Sequence, residues 1–233
     1  MDKPFFSVAI PTYEMYGNGV KFLENNFIKL EKQTFNDFEV VISDHSLDNG
    51  VMELCKKWGD RLVIKYFKNT IGIGKSSSNI NYALKKCRGE WIKIIFQDDF
   101  LVSNESLEII HRHIKNSDNI KWVITACEHT TDGVTLYRPF YPKWNDKIHT
   151  GINTFSSPSV LTIKNNYILL FNEELVWLMD VDYYKRMYDK YGEPYYIMDI
   201  NVVNRIWGNS VSNTLSNEIK QKETRLMINI HGE

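Results

Sequence analysis

The stretch "EWIKIIFQDDF", residues 90–100, places a run of mostly apolar residues directly before two adjacent carboxylates. Residues 90–96 have the length and composition of a buried strand. An isolated Asp-Asp pair usually belongs to a turn that starts a helix, and Ser103 follows closely enough to cap one. In a parallel sheet, however, Asp98 and Asp99 would lie at the edge where such sheets bind ligands. The remainder of the chain decides between these two interpretations.

Apolar runs of strand length alternate with helical patterns before this stretch. The other predicted strands in the first half are residues 5–11, 38–44 and 61–67. The predicted helices are residues 19–33, a segment from Asp48 to about Trp58, and a segment from Ser76 to a C-cap at Gly89. This alternation predicts an α/β fold, with a Rossmann-like, mostly parallel central sheet flanked by helices.

The second half of the sequence has a looser pattern. From about Lys121 two further strands are predicted, at residues 121–129 and 159–164, among irregular pieces rich in Tyr, Trp and Asn. We therefore expect a mixed second half built onto the parallel first half. Asp98 and Asp99 then stand with Asp44, which ends the strand at 38–44, at one edge of the sheet.

The composition excludes several classes of protein. With 28 Lys and Arg against 29 Asp and Glu, the chain has no charge excess that would attract nucleic acid. No run approaches the roughly 20 apolar residues of a transmembrane helix. Cys55, Cys87 and Cys127 have no paired spacing, which predicts neither disulfides nor a zinc site. We expect a cytoplasmic protein, and peripheral docking at the inner face of a membrane stays open.

A Gly-Lys-Ser sequence occurs within "NTIGIGKSSSNINYA", residues 69–83. The same three residues end the phosphate-binding loop of P-loop proteins, which also needs a glycine five residues earlier. Asn69 occupies that position, where a side chain prevents the chain from wrapping closely around phosphate oxygens. The sequence therefore argues against a P-loop and predicts only a helix start at Ser76.

Four segments of the first half together resemble a known family. In order they are "FFSVAIPTYE", "FEVVISDHSLD", "NTIGIG…NIN" and "CRGEWIKIIFQDD". Across residues 5–100 their order and spacing resemble the nucleotide-binding half of family 2 glycosyltransferases of GT-A fold, and a weaker likeness continues to about Asn213. The resemblance implies transfer of a sugar from a nucleotide-sugar donor, with Mn²⁺ or Mg²⁺ on the diphosphate.

The resemblance also implies a domain plan. It predicts a single GT-A domain over residues 1–233. Residues 1–100 would form the half that binds the nucleotide-sugar, and residues 101–213 the half that faces the acceptor. Residues 214–233 would form a C-terminal polar tail or helix.

Specific residues of this sequence match positions that bind the nucleotide-sugar in the family. The residues so implied are Pro11, Thr12, Glu14, Asp44, Asn81 and Asp98. Asp44 matches the acid that hydrogen-bonds the base, usually uracil, and Asp99 matches an acid that contacts the metal. Two departures leave fewer metal ligands: Phe96 replaces the first acid of the Asp-x-Asp-Asp motif, and Trp207 stands at or near the place of a histidine.

The acceptor side carries a second set of implied residues. In "EELVWLMDVDYY", residues 173–184, the resemblance implies a catalytic base at the start of a helix. Asp180 is the preferred base; Asp182 is the alternative base and the expected helix cap. Trp177 is expected to stack on a sugar ring, with a place in the core as the ordinary alternative. The residues Ser157, Pro158 and Ser159 are expected to face the acceptor, with a plain turn as the alternative.

The leading hypothesis is a metal-dependent, inverting glycosyltransferase. It would move a sugar from a UDP-linked donor to a glycan, lipid-linked or other hydroxyl acceptor during surface-glycan synthesis. One alternative is a non-catalytic nucleotide- or carbohydrate-binding protein of the same fold, which the departures at Phe96 and Trp207 motivate. A nucleotidyltransferase is a third hypothesis, although no basic loop for a triphosphate is visible near the N-terminus.

Overall fold

The apolar runs of the sequence come together in one nine-stranded sheet. The computed structural model describes residues 3–232, apart from the side chains of residues 211 and 212. The strands are Phe6–Thr12 (β1), Phe38–Asp44 (β2), Ile64–Lys68 (β3), Trp91–Ile94 (β4), Phe100–Leu101 (β5), Trp122–Thr130 (β6), Tyr137–Phe140 (β7), Leu161–Lys164 (β8) and Tyr195–Arg205 (β9). The α-helices are Gly19–Glu31 (α1), Gly50–Trp58 (α2), Ser76–Lys86 (α3), Ser106–Ile114 (α4), Met179–Tyr191 (α5), Val211–Thr214 (α6) and Asn217–His231 (α7).

The strand order is β3-β2-β1-β4-β8-β6-β9-β5, and β7 pairs with β6. The first four strands run parallel to one another. β8 is antiparallel to both β4 and β6, whereas β9 is parallel to β6. The α/β class, with a parallel first half and a mixed second half, is confirmed.

The parallel half sets the position of the candidate residues. All seven residues of β1 are buried because the strand is covered on both faces, and its sequence is accordingly mostly apolar. In the sheet Thr12 pairs with Asp44, and Ala9 pairs with Ile94 at the end of β4. β1, β2 and β4 therefore end at the same edge of the sheet. The two carboxylates that follow β4 lie at this edge, as the sequence predicted.

Gly89 does not cap a helix, contrary to the sequence prediction. α3 ends at Lys86 with Cys87 as its C-cap residue. The glycine instead lies against β1, where its N–H donates to Ser7 Oγ at 2.8 Å. A Cβ at this position would lie 2.4 Å from the backbone nitrogen of Ser7 and 2.6 Å from the carbonyl carbon of Phe6. The close approach of two backbones is the reason for the glycine.

The second half contains strands that the sequence did not reveal. β9 has 11 residues, but its burial follows no simple alternation. Its pairing with β6 shifts register twice, on either side of Ala126, and such irregularities interrupt the two-residue period. The predicted polar tail or helix at 214–233 is a helix, α7, whose N-cap Ser216 accepts a hydrogen bond from the backbone of Ile219. None of the helices within residues 3–232 combines the length and apolar character that crossing a membrane requires.

Gly89→Ala is expected to lower the free energy of unfolding by about 1–3 kcal/mol, because the added methyl group overlaps backbone atoms of β1. Urea unfolding followed by circular dichroism measures the change. The matched control is Gly59→Ala: Gly59 has helical dihedral angles, and a Cβ there meets nothing closer than 3.4 Å. That variant should be neutral or more stable by up to about 1 kcal/mol. Equal effects of the two substitutions would contradict this account.

Candidate active site

Two adjoining cavities open at the edge of the sheet where β1, β2 and β4 end. The first cavity has a volume of about 370 Å³ and the second about 450 Å³. Residues that line both are Tyr13, Met15, Ser76, Phe96, Asp98, Val176 and Asn209. The first cavity is also lined by residues that include Pro11, Glu14, His45, Leu47, Lys75 and Asn79. The second is also lined by residues that include Ser157, Pro158, Trp177, Asp180, Asn204, Arg205 and Trp207. The cavities therefore form one cleft with a shared wall.

Asp44, the last residue of β2, is fully buried and precedes His45, which lines the first cavity. Its Oδ1 accepts hydrogen bonds from Thr12 Oγ1 at 3.2 Å and from the Ser46 N–H at 2.9 Å. Its Oδ2 accepts from the Tyr66 hydroxyl at 2.8 Å, and burial and the adjacent Asp44 raise the pKa of Tyr66. Asp44 and Thr12 are both fully buried and border neither cavity, and a direct contact of Asp44 with a base stays a prediction.

The loop after β1 is held by Gln97, which sequence reasoning passed over. The Tyr13 N–H donates to Gln97 Oε1 at 2.9 Å, and Gln97 Nε2 donates to the Gly19 carbonyl oxygen at 2.8 Å. Glu14 accepts a hydrogen bond from the Leu47 N–H, which joins this loop to the one after β2. Glu14, like Pro11, borders the first cavity where the sequence placed it. The only signal for Gln97 is its position between a strand end and Asp98.

Asn79, rather than the predicted Asn81, faces the first cavity from α3. Asn79 Nδ2 donates to the Thr12 carbonyl oxygen at 2.9 Å, and its Oδ1 accepts from Ser43 Oγ at 2.6 Å. Asn81 is buried and borders neither cavity. Its Oδ1 accepts from the Phe171 N–H at 2.7 Å, and its Nδ2 donates to the Phe171 carbonyl oxygen at 2.9 Å. Asn81 therefore anchors the chain that leads towards α5.

Asp99 is the most fully hydrogen-bonded carboxylate of the cleft. Its Oδ2 accepts from Ser157 Oγ at 2.8 Å, Ser159 Oγ at 2.6 Å and Asn204 Nδ2 at 2.9 Å. Its Oδ1 accepts from the Arg205 N–H at 2.9 Å. Asp99 was predicted to be the metal ligand, but in this arrangement its lone pairs are largely used by the protein. The carboxylate instead ties the segment after β4 to the 157–159 segment and to β9.

A buried lysine lies behind Asp99. Lys93 is fully buried on β4, and its Nζ donates to the Ser159 carbonyl oxygen at 2.6 Å. Burial lowers the pKa of Lys93 to about 7, and the negative charge of Asp99 opposes that shift. Ser159 thus contacts both groups, with its hydroxyl on Asp99 and its carbonyl oxygen on Lys93. It was predicted to face the acceptor, but it lies inside the protein and supports the wall from behind.

Asp98 is the carboxylate that borders both cavities. Its Oδ2 accepts from Trp207 Nε1 at 3.0 Å, so Trp207 acts as a hydrogen-bond donor where the family resemblance suggested a histidine ligand. Burial and the neighbouring charge of Asp99 raise the pKa of Asp98 to about 7. A cation beside Asp98 would favour its charged form.

A divalent cation fits this cleft only together with a substrate. Within residues 3–232 no group of three or more His, Cys, Asp or Glu side chains could enclose a metal ion. Mg²⁺ and similar ions, however, commonly bind through one or two carboxylates plus substrate phosphates. Asp98 offers one such carboxylate at the shared wall. The donor set therefore fits a cation held by Asp98 and a diphosphate, while the predicted ligand Asp99, which borders the second cavity, stays a prediction.

Asp180 borders the second cavity from the first turn of α5. Its Oδ2 accepts from Asn153 Nδ2 at 2.7 Å, and its Oδ1 accepts from the Val181 N–H at 2.8 Å. Burial, with a further contribution from the charge of Glu223, raises the pKa of Asp180 to about 7. A carboxylate with a pKa near neutrality is well suited to accept a proton from a substrate. No sequence pattern marked Asn153.

Asp182 is neither a helix cap nor a residue of the cleft. α5 begins at Met179, so the prediction that Asp182 caps its start is wrong. The Asp182 side chain is buried and pairs with Arg186, whose Nη2 lies 2.6 Å from Oδ2. His231 Nε2 lies 2.9 Å from Asp182 Oδ1. Of the two aspartates considered as the base, only Asp180 borders a cavity.

Of the residues predicted to face the acceptor, Ser159 is buried behind the wall and three others border the second cavity. Ser157, Pro158 and Trp177 border the second cavity as expected. Arg205, which was not predicted, borders it too, and its guanidinium carbon lies 4.7 Å from the ring centroid of Phe22. Arg205 Nε also donates to the Asp98 carbonyl oxygen at 3.2 Å. The second cavity is thus lined by the carboxylate of Asp180, the guanidinium group of Arg205 and the aromatic ring of Trp177.

Comparison with known proteins identifies the family of this chain. Residues 7–179 match the model of the family described as Glycosyl transferase family 2. An uncharacterized glycosyltransferase of Rickettsia typhi is 22% identical over 236 residues, covering 94% of this chain and 70% of the relative. The poly(ribitol-phosphate) beta-N-acetylglucosaminyltransferase TarS of Staphylococcus aureus is 30% identical over 105 residues, covering 44% of this chain and 18% of TarS.

Solved structures agree in fold. A crystal structure of S. aureus TarS in complex with UDP-GlcNAc has a TM-score of 0.71 at 18% identity, covering 95% of this chain and 65% of that chain. A mannosyltransferase from Pyrobaculum calidifontis in complex with GDP-Man and Mn²⁺ has a TM-score of 0.63 at 14% identity, covering 90% and 59%. This chain thus shares the GT-A fold of these enzymes. Since the matched residues make up most of its length, the chain belongs to glycosyl transferase family 2.

Proposed function

We propose that this protein transfers a sugar from a UDP-linked donor to a hydroxyl group, with inversion at the anomeric carbon and with a divalent cation. The observation that carries the proposal is the wall between the cavities. Asp98 borders both of them, whereas Asp180 borders only the second. Family membership and the UDP-GlcNAc complex of TarS support a nucleotide-sugar donor.

In the proposed reaction the two cavities hold different substrates. The nucleoside diphosphate of the donor lies in the first cavity, between the loop with Glu14 and the start of α3. Its sugar reaches the shared wall at Asp98, and the acceptor hydroxyl enters the second cavity beside Asp180. Asp180 takes the proton of the acceptor hydroxyl while the hydroxyl oxygen attacks the anomeric carbon of the donor sugar. The attack comes from the face opposite the diphosphate, whose bond to that carbon breaks, so the configuration is inverted. Asn153 keeps the Asp180 carboxylate oriented for this step.

The cation would be held by Asp98 and the diphosphate. When bound, it supplies positive charge against the charge that develops on the departing nucleoside diphosphate. The hydrogen bonds of Asp99 fix the backbone next to Asp98. The negative charge of Asp99 also favours a cation beside Asp98. The Mn²⁺ in the mannosyltransferase complex supports a cation of this kind in the fold.

The acceptor is proposed to be a glycan, a lipid-linked sugar or a related hydroxyl compound used in surface-glycan synthesis. Trp177 lines the second cavity, and an aromatic side chain there can pack against the C–H groups of a sugar ring. The first experiment to test the proposal is an assay with UDP-GlcNAc and Mn²⁺, read by release of UDP, which reports donor cleavage with either a hydroxyl compound or water as the acceptor. If no UDP-, GDP-, CMP- or dTDP-sugar is consumed, the non-catalytic binding protein replaces the enzyme as the hypothesis.

UDP is expected to bind at least about tenfold more tightly with Mn²⁺ than with EDTA, because the diphosphate otherwise meets the negative charge of Asp98. Titration calorimetry in the two buffers measures the difference. Asp98→Asn should lose most of this Mn²⁺ effect, while Asp118→Asn, at a fully exposed site, should keep it. Equal UDP affinity in both buffers for the wild type would remove the metal from the proposal.

Asp180→Asn is expected to reduce sugar transfer by roughly 10²–10⁴, the usual share of a general base, and to leave the Kd for UDP unchanged. Asparagine keeps the size of the side chain but cannot accept the proton. Steady-state transfer assays and calorimetry measure the two quantities. The matched control is Asp189→Asn, on the same helix but half exposed and paired with Lys185. Full activity of Asp180→Asn would place the base elsewhere.

The transfer rate at saturating Mn²⁺ is expected to fall as the pH is lowered through about 7, because Asp180 must be deprotonated to act and its pKa is raised to about 7. Below that pH the rate should drop about tenfold per unit. A profile of kcat from about pH 5.5 to about pH 9 tests this, and the residual rate of Asp180→Asn should lack the acidic limb. A flat wild-type profile below pH 7 would exclude Asp180 as the titrating base.

A further inference from the structure

A carboxylate of the C-terminal helix, α7, accepts hydrogen bonds from the backbone directly before α5. Glu223 lies on α7 and is only 3% exposed. Its Oε1 accepts from the Val176 N–H at 2.8 Å, and its Oε2 accepts from the N–H groups of Trp177 and Leu178, both at 2.9 Å. Three consecutive backbone donors thus converge on one side chain, which is 45 residues away from the nearest of them.

These three donors lie directly before α5, and the last of them belongs to its N-cap residue. Leu178 is the N-cap residue of α5, and its side chain makes no capping hydrogen bond. The N–H groups at a helix N-terminus have no partner within the helix, and a negative charge there is stabilised by the helix dipole. Glu223 supplies both an acceptor and a charge. In return, the three N–H groups satisfy a carboxylate that is almost completely removed from water.

The segment held in this way carries the acceptor side of the cleft. Val176 borders both cavities, and Trp177 and Asp180 border the second. The peptide groups fixed by Glu223 are those of Val176, Trp177 and Leu178, and Asp180 follows two residues later. A shift of this segment would move the aromatic face and the carboxylate together.

A second contact ties α7 to the same helix. His231, the last residue of α7, pairs with Asp182 in the first turn of α5. Glu223 and His231 are two turns apart on α7, so the helix is attached to the start of α5 at two points. This arrangement resists both displacement and rotation of the segment.

We propose that Glu223 is a positioning residue for sugar transfer, which holds residues 176–178 so that Asp180 and Trp177 face the acceptor. The inference rests on the proposed function. Glu223 borders neither cavity and acts on this segment through the backbone that it holds. α7 lies outside the residues that match the family model, so this element of the site is not part of the matched region.

Hydrogen exchange tests the structural half of the inference without any substrate. In Glu223→Ala, amides 176–178 should lose protection by at least about tenfold, because their acceptor is gone. Peptides from β1 and β4 should keep the exchange rates of the wild type. Glu218→Gln is the matched control, an exposed glutamate on the same helix, and should leave all peptides unchanged. Unchanged protection of 176–178 in Glu223→Ala would overturn the proposal.

Kinetics with UDP-GlcNAc and water as the acceptor test the functional half. Glu223→Ala should lower kcat for hydrolysis by about tenfold or more, with the KM for UDP-GlcNAc and the stoichiometry of UDP binding unchanged. The stoichiometry, measured by calorimetry, corrects for any unfolded fraction. Glu223→Gln should recover most of the rate, because its single oxygen can still accept two of the three N–H groups. A parallel loss of UDP binding and hydrolysis would show a general folding role and overturn the proposal.

A pH profile adds a readout that a mere loss of folded protein would not move. Asp180 is faced by Asn153, Tyr184 and Glu223, and burial keeps Tyr184 neutral by raising its pKa. Removing the charge in Glu223→Gln should therefore shift the acidic limb of the profile to lower pH, whereas a structural defect would leave its midpoint in place. If the wild type consumes no donor at all, the proposed function fails, while the exchange of amides 176–178 still decides whether Glu223 holds the segment.

Discussion

The hydrogen bonds to Asp99 are the constraint on which the cleft depends. A buried carboxylate is tolerated only when its oxygens are fully engaged, and Asp99 meets this condition with four donors from two distant segments. Those donors place the 157–159 segment and the end of β9 against the end of β4. The same charge helps to make a buried lysine tolerable behind the wall. Together with burial, the charge of Asp99 also raises the pKa of the preceding residue, Asp98, which lies at the shared wall. Two adjacent aspartates therefore have separate places, one inside the wall that it assembles and the other on the surface of both cavities.

The sequence predicted the parallel half of the fold because those strands are covered on both faces. A mostly apolar run followed by polar residues, such as residues 90–99, indicates both a strand and its functional end. β9 gave no such signal because buried polar residues interrupt its apolar pattern. Asn201 and Asn204 are both buried there, and each is hydrogen-bonded to another part of the chain. Positions of this kind are polar for tertiary reasons, which no local pattern expresses.

Within the site, residue types were predicted better than the faces on which they lie. Asn79 and Asn81 are two residues apart on one helix, as are Asp180 and Asp182, and each pair points in two directions. The choice depends on where the helix begins and how it packs, which the sequence leaves uncertain by a residue or two. Glu223 and Gln97 were missed because their partners are backbone groups. Backbone groups are the same at every residue, so such contacts leave no complementary residue to recognise.

The position of β9 in the sheet has a consequence for how this protein can be divided. Although the family match ends at residue 179, β9 lies between β6 and β5 and provides two of the four donors to Asp99. A fragment that stopped at the family boundary would expose the edges of two strands and leave a buried charge with only its serine partners. The parallel half of the sheet is therefore not an autonomous module that could be combined with a foreign second half. A chimera of two relatives would have to include β9 together with residues 157–159, because both segments donate hydrogen bonds to Asp99.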